Sequence, residues 1–186
     1  SHPCQVLSDL LTIREAVGRL DGSVRVAFVG DGNNVVSSLM EAATLVGFPL
    51  TVVSPPAFSP PVETRARARG VTVTGDLAAI EGADVVYTDV WASMGQEKEA
   101  QERRRQFAEY QVNRDLLALA PGAVFMHCLP AHRGEEVTDE VIDSPRSIVF
   151  DQAENRLWAQ MALLAAIFGG EDSPPTPLSG EEELVP

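Results

Sequence analysis

The sequence is poor in most of the features that announce a function class. It holds two cysteines, Cys4 and Cys128, far apart in the chain, and no Cys/His spacing of a zinc or iron–sulfur site. No apolar run approaches the roughly 20 residues that a membrane span needs. The opening Ser1-His2-Pro3-Cys4 has neither the basic nor the apolar region of a signal peptide. Positive charge is scarce: 14 Lys and Arg stand against 27 Asp and Glu, a net charge of -13. Such a surface repels nucleic acid and anionic lipid, so neither is an expected partner. The expectation is a cytoplasmic protein with reduced thiols and no bound metal.

What is present is ordinary globular material, 45% hydrophobic and 22% charged over 186 residues. That length suits one compact domain with appendages. Short Val-rich runs at 24–29, 50–53, 71–74, 84–88, 123–127 and 147–150 read as strands. Most are continuous rather than alternating, the pattern of strands buried on both faces. The alternation of 71–74 marks an edge strand. Helical patterns lie between them at 35–46, capped by Asn34, at 63–69, at 96–109, which is charged all round, and at 113–119, capped by Asn113. Strand and helix in alternation give an α/β fold: a three-layer, Rossmann-like parallel sheet with helices on both faces. Two apolar helices, 4–19 and 153–168, fall outside the alternation. They either cap this sheet or dock onto a second domain. From 169 to 186 a Pro/Gly/Ser-rich acidic tail reads as disordered and solvated.

Three strand ends carry chemistry. The first is Gly30-Asp31-Gly32-Asn33-Asn34, the setting of a dinucleotide fingerprint. The fingerprint's third glycine falls at Val35, and Ser54-Pro55-Pro56 stands where an acid would meet ribose. A helix N-terminus beside an Asn suits a carboxylate or zwitterion better than a nucleotide, although Asn34 is equally readable as a simple cap. The second, Asp89-Val90-Trp91-Ala92-Ser93-Met94-Gly95, offers an acid, a hydroxyl and a glycine around an aromatic that reads as core. Asp89 could meet an ammonium group there. The third is His127-Cys128-Leu129-Pro130. Cys128 is either a buried, inert thiol or one whose pKa His127, His132 and Arg133 lower, making it a proton acceptor. A nucleophilic Cys–His pair is the poorer reading, because adjacent residues at a strand end face opposite ways.

Taken together, these loops resemble ornithine carbamoyltransferase, as do His2-Pro3-Cys4-Gln5 and Glu154-Asn155-Arg156. The likeness runs from His2 to about Phe168 in the family's order. Aspartate-using relatives have neither the Ser-Met-Gly loop nor His-Cys-Leu-Pro in this form. The resemblance implies that Asn34, Asp89, Ser93 and Met94 hold ornithine. It places Cys128, with Asp89, beside the reacting amine as the catalytic pair, and assigns His2, Gln5, Cys128, Leu129 and Arg156 to carbamoyl phosphate. The implied reaction gives citrulline and phosphate without metal or organic cofactor. It also leads one to expect a cis Leu129-Pro130 bond.

The family's Ser-Thr-Arg-Thr-Arg phosphate motif is absent, and Thr64-Arg65-Ala66-Arg67 does not replace it. The expectation is therefore an ornithine-binding portion without its N-terminal carbamoyl-phosphate domain. Residues 1–20 form an interdomain helix with a carbamoyl-phosphate motif, 21–150 the ornithine-binding domain, 151–168 a bridging helix and 169–186 the tail. The complete enzyme would be a homotrimer. A carbamoyltransferase for another amine such as putrescine, a nucleotide-binding Rossmann module and a non-catalytic remnant are the alternatives.

Overall fold

The computed structural model describes residues 1–91 and 100–169. Five strands, β1 (Val26–Val29), β2 (Leu50–Val53), β3 (Val71–Thr74), β4 (Val85–Thr88) and β5 (Val124–His127), are parallel and ordered β3-β2-β1-β4-β5. Val26 and Phe28 point into one apolar layer, with Val52, Val85, Tyr87 and Met126. Ala27 and Val29 point into the other, with Val53, Val86 and Phe125. Both faces of each central strand are therefore covered, which is why these runs are apolar without alternation. β3 lies at the sheet edge and is only partly buried, as its alternating Val and Thr require.

The helices are α1 (Pro3–Val17), α2 (Asn34–Val46), α3 (Val62–Arg67), α4 (Ala100–Phe107), α5 (Arg114–Ala118), α6 (Asp139–Ile142) and α7 (Val149–Phe168). None of the described helices is long and apolar enough to cross a membrane. The expected strand at 147–150 does not form. Phe125 bridges Ser147 alone and takes the Ile148 N–H at 3.0 Å, after which α7 begins at Val149. Of the run, Val149 is buried in the helix's first turn, Ile148 is partly buried and Phe150 is exposed. The described part of 96–109 is helical over Ala100–Phe107, and it is not charged all round, since Arg103 and Phe107 are buried.

The flanking helices cap this chain's own sheet. α1 and α7 pack on each other: Ser8 Oγ donates to Gln152 O at 2.9 Å, and Asn155 Nδ2 donates to Thr12 Oγ1 and Glu15 Oε2. α1 seals the sheet face through Val6 and Ile13. Beyond Arg156, α7 presents Leu157, Trp158, Met161, Leu164, Ile167 and Phe168 between 43% and 79% exposed. Residues 92–99 and 170–186, which include the tail and the Ser93 and Met94 positions, lie outside the described residues.

The Gly-Asp-Gly turn has a packing explanation. Gly30 has φ 139, which suits glycine, and a Cβ on Gly32 would sit 2.3–2.6 Å from backbone atoms of Phe58, Ser59 and Pro60. Gly32 N also donates to Phe58 O at 2.8 Å. Gly32→Ala is therefore expected to destabilise the chain by ~3 kcal/mol in urea denaturation, because backbone must move to admit the methyl. Gly122→Ala, with nothing within 4 Å, is the near-neutral control.

Candidate active site

β1 and β4 are neighbours whose following segments part to opposite faces: α2 packs in one layer, Trp91 and Phe107 in the other. In an open parallel sheet such a switch point opens a crevice at the carboxyl ends of the strands. Thr88 Oγ1 donates to Val29 O at 2.6 Å and closes the bottom of the crevice. Asp89, buried, sits just above. Its Oδ2 accepts from Asn33 Nδ2 at 2.6 Å, and its Oδ1 accepts from Val90 N at 2.8 Å and from the Cys128 thiol at 3.0 Å. One carboxylate thus joins the ends of β1, β4 and β5.

The helix cap is Asn33 rather than the expected Asn34. Asn33 has the extended conformation a cap requires, and its Oδ1 accepts from Val35 N and Val36 N. Asn34 is the first helical residue, with an exposed side chain at the N-terminus of α2. Its neighbour carries the structural duty, which leaves the Asn34 amide available to a ligand.

The expectation that cations lower the Cys128 pKa is overturned. His127 is fully buried and turned away: its Nδ1 accepts from Leu129 N at 2.9 Å, so Nε2 carries the proton and donates to Glu136 Oε1 at 3.1 Å. His132 lies near Glu136, with its Nδ1 4.0 Å from Oε2, and Arg133 is held by Asp139 and Asp143. Burial, then the Asp89 carboxylate, push the Cys128 thiol well above its ordinary range, with Tyr87 partly offsetting them. Cys128 is a neutral thiol that donates to Asp89. The turn beyond it is fixed by Leu129 at φ 55 and by a cis Leu129-Pro130 bond, as the resemblance led one to expect.

On the other side of β4 and β5, Gln5 Oε1 accepts from Arg156 Nη1 at 2.6 Å, bringing together two of the residues assigned to carbamoyl phosphate. His2 stands just before α1 without a side-chain cap bond, and its backbone N–H donates to Ser38 Oγ at 2.7 Å. Behind them lies Asp9, fully buried, which the sequence reading did not single out. The chain gave one hint: Asp9 falls four residues after Gln5 on a helix, as Gln152 falls four before Arg156. Arg103 was also missed. It is buried against Asp31 at 2.9 Å and Trp91 O at 2.7 Å, with its guanidinium carbon 4.8 Å from the Phe58 ring centroid. Burial raises the Asp31 pKa, and Arg103 pulls it back.

Among the described residues, two groups bring possible metal ligands within 4.8 Å of one another: Asp89, His127 and Cys128, and His132, Glu135 and Glu136. In the first, both His127 nitrogens and the thiol are already engaged. In the second, Glu135 is paired with Arg104 at 2.6 Å. A cation in either would displace existing bonds. Cys4 and Cys128 are free thiols.

Residues 22–167 match the family model of the Asp/Orn-binding domain of aspartate/ornithine carbamoyltransferase. The chain belongs to that family. It is 54% identical to the anabolic ornithine carbamoyltransferase of Pyrococcus furiosus over 91% of this chain and 57% of the relative. It is 53% identical to the ornithine carbamoyltransferase of Thermococcus kodakarensis over the same shares. The solved ornithine carbamoyltransferase structure from Pyrococcus furiosus superposes with a TM-score of 0.87 at 53% identity, covering 91% of this chain and 57% of that one. The Thermus thermophilus structure gives 0.81 at 46% identity, over 90% and 55%. The chain thus spans a little over half the length of these carbamoyltransferases.

Burial pushes the Asp9 carboxyl from 3.8 up to about 6, against hydrogen bonds from Gln5, Gln152 and Tyr87 that lower it. With the folded pKa above the unfolded one, the folded state binds this proton more tightly. Stability tied to Asp9 is full below pH ~4 and is lost as pH rises through 6, a difference on the order of 2–3 kcal/mol. Chemical denaturation at pH 5 and pH 7.5 should show that loss in the native chain and a smaller one in Asp9→Asn.

Proposed function

We propose that this chain supplies the ornithine-binding portion of an ornithine carbamoyltransferase, in which the δ-amine of L-ornithine attacks carbamoyl phosphate to give L-citrulline and phosphate. The observation that carries the reading is the Asp89–Cys128 hydrogen bond at the crevice where β1, β4 and β5 end.

An alkylamine with a pKa near ~10.4 is protonated at neutral pH and cannot attack until it loses that proton. Asp89 is the acceptor. The ammonium passes a proton to the Cys128 sulfur as the thiol passes its own to Asp89, so the thiol is restored and the net proton rests on the carboxylate. The amine nitrogen then bonds to the carbamoyl carbon. The carbon–oxygen bond to phosphate breaks, phosphate leaves with the electron pair, and the second proton of the attacking nitrogen passes to it, giving citrulline and hydrogen phosphate. His2, Gln5, Leu129 and Arg156 hold carbamoyl phosphate, and the Arg156 guanidinium stabilises the departing charge. Asn34, Ser93 and Met94 hold the α-carboxylate and α-amino group of ornithine. No metal or organic cofactor takes part.

A carbamoyl-phosphate domain completes the site by supplying the basic phosphate cluster that this acidic chain lacks. In this reading α1 and α7 bridge to it, and the exposed apolar half of α7 supports that role. The complete enzyme is a cytoplasmic homotrimer.

Calorimetric titration tests the reading. L-ornithine should bind the chain with Kd on the order of 1 mM, and Asp89→Asn should weaken it by at least ~10-fold, about 1.4 kcal/mol. Putrescine, without an α-amino or carboxylate group, should give no saturable heat. Equal binding of putrescine, or no saturable binding of ornithine, would overturn the substrate assignment. The chain alone should form no citrulline from ornithine and carbamoyl phosphate. Turnover in a colorimetric citrulline assay would show that no second domain is needed.

A further inference from the structure

Asp9 lies outside the crevice, yet both sides of the site converge on it. Its Oδ1 accepts from Gln5 Nε2 at 2.8 Å and from Gln152 Nε2 at 2.7 Å, while its Oδ2 accepts from Tyr87 Oη at 3.0 Å. The two glutamines come from different helices, α1 and α7, and the tyrosine from β4 between them. Asp9, Gln5, Gln152 and Tyr87 are all essentially out of solvent.

A primary amide can point either its oxygen or its nitrogen at a neighbour, and the two differ little in shape. Against a carboxylate there is no choice, because an ionised carboxylate only accepts. Asp9 therefore turns both amide nitrogens inward and both amide oxygens outward. The outward oxygens are the ones in use. Gln5 Oε1 receives Arg156 Nη1 at 2.6 Å, and Gln152 Oε1 receives the backbone N–H of His127 at 2.9 Å. His127 is the last residue of β5 and immediately precedes Cys128. Its N–H would otherwise be an unpaired donor deep in the fold. Reversing either amide would place an NH2 group against a guanidinium or against a backbone N–H.

We infer that Asp9 is a positioning residue for both halves of the site: by fixing the orientation of the Gln5 and Gln152 amides, it sets Arg156 on the carbamoyl-phosphate side and the His127–Cys128 strand end on the amine side. The inference rests on the reading of the site given above for what the two ends bind, but the orientation effect itself can be measured without any ligand. An asparagine at this place would keep one oxygen for the two amides. A leucine, of similar shape, would keep none.

The test is carried out on the full 186-residue chain. Amide hydrogen exchange by NMR should show His127 N–H exchanging at least ~10-fold faster in Asp9→Leu, with the β1 and β2 amides of Val29 and Val53 unchanged. The Arg156 side-chain resonances should shift in the same variant. Asp9→Asn should keep the native pattern at His127. Where Asp9→Leu fails to fold, Asp9→Ala, whose polar-walled space admits water, replaces it with the same expected result.

Two single-branch variants sharpen the outcome. Gln152→Leu should free His127 N–H and leave Arg156 unmoved, and Gln5→Leu should do the reverse. A merely structural Asp9 would instead raise exchange across all five strands together, and that result would overturn the proposal. So would an unchanged His127 amide in a folded Asp9→Leu or Asp9→Ala chain. Ornithine titrated into the same variants should bind ~10-fold more weakly than to the native chain. If the native chain itself binds no ornithine, the substrate reading fails, while the exchange pattern still decides the role of Asp9.

Discussion

A carboxylate withdrawn from water must be given hydrogen bonds or give up its charge, and this fold is arranged around that requirement. Asp9, Asp31, Asp89 and Glu136 are each sunk among apolar neighbours, and each draws together elements that the chain places far apart. Asp89 collects the ends of β1, β4 and β5 through Asn33, its own loop and Cys128. Asp31 holds Arg103, and through it the carbonyl of Trp91. Glu136 takes the His127 ring and the His132 N–H, fixing the turn after β5. Asp9 ties α1 to α7 and β4. The hydrophobic layers hold the sheet together, whereas these acids set where its loops stand.

The sheet was legible in the sequence because parallel, doubly covered strands need nothing except apolar bulk. Val26–Val29 and Val85–Thr88 announce themselves by the absence of alternation, and the alternating Val71–Thr74 announces an edge. The run at 147–150 misled for the same reason: Val149 is buried and Ile148 partly buried at a junction, and burial does not specify a ladder partner. The loops that carry the site were legible as places. Their hydrogen bonds were not, since a sequence states which donors exist and leaves open which way they turn. Asn33 and Asn34 are indistinguishable as letters, and only the backbone angle decides which one caps α2.

Cys128 shows the same limit most clearly. His127, His132 and Arg133 surround it in sequence and suggested a thiolate. In space all three are taken by acids: Glu136 holds His127 and lies beside His132, and Asp139 and Asp143 hold Arg133. What faces the sulfur is Asp89. The sign of the expected pKa shift is therefore reversed by burial and by Asp89, nearly forty residues upstream, once side chains eight to fifteen residues downstream have taken up the cations. Neighbourhood along the chain is a poor guide to electrostatics wherever a turn sends successive side chains to opposite faces.

That reversal also constrains the chemistry. A thiolate beside Asp89 would set two negative charges against each other in a poorly solvated crevice, and burial disfavours even one. A neutral thiol donating to the carboxylate removes the conflict, and it orders the pair for a cation: the ammonium of a substrate meets a single full negative charge, with a polarisable sulfur between. The strongly acidic chain is then suited to the amine and poorly suited to a phosphate. The nearest cation on the phosphate side, Arg156, reaches into the buried network through Gln5, whose amide is itself turned by Asp9. On the proposed reading, one portion of chain holds the amine, places the proton acceptor and aims one arginine. On the same reading, the remaining positive charge for a phosphate comes from another surface, and the uncovered apolar length of α7 is a place for it to dock.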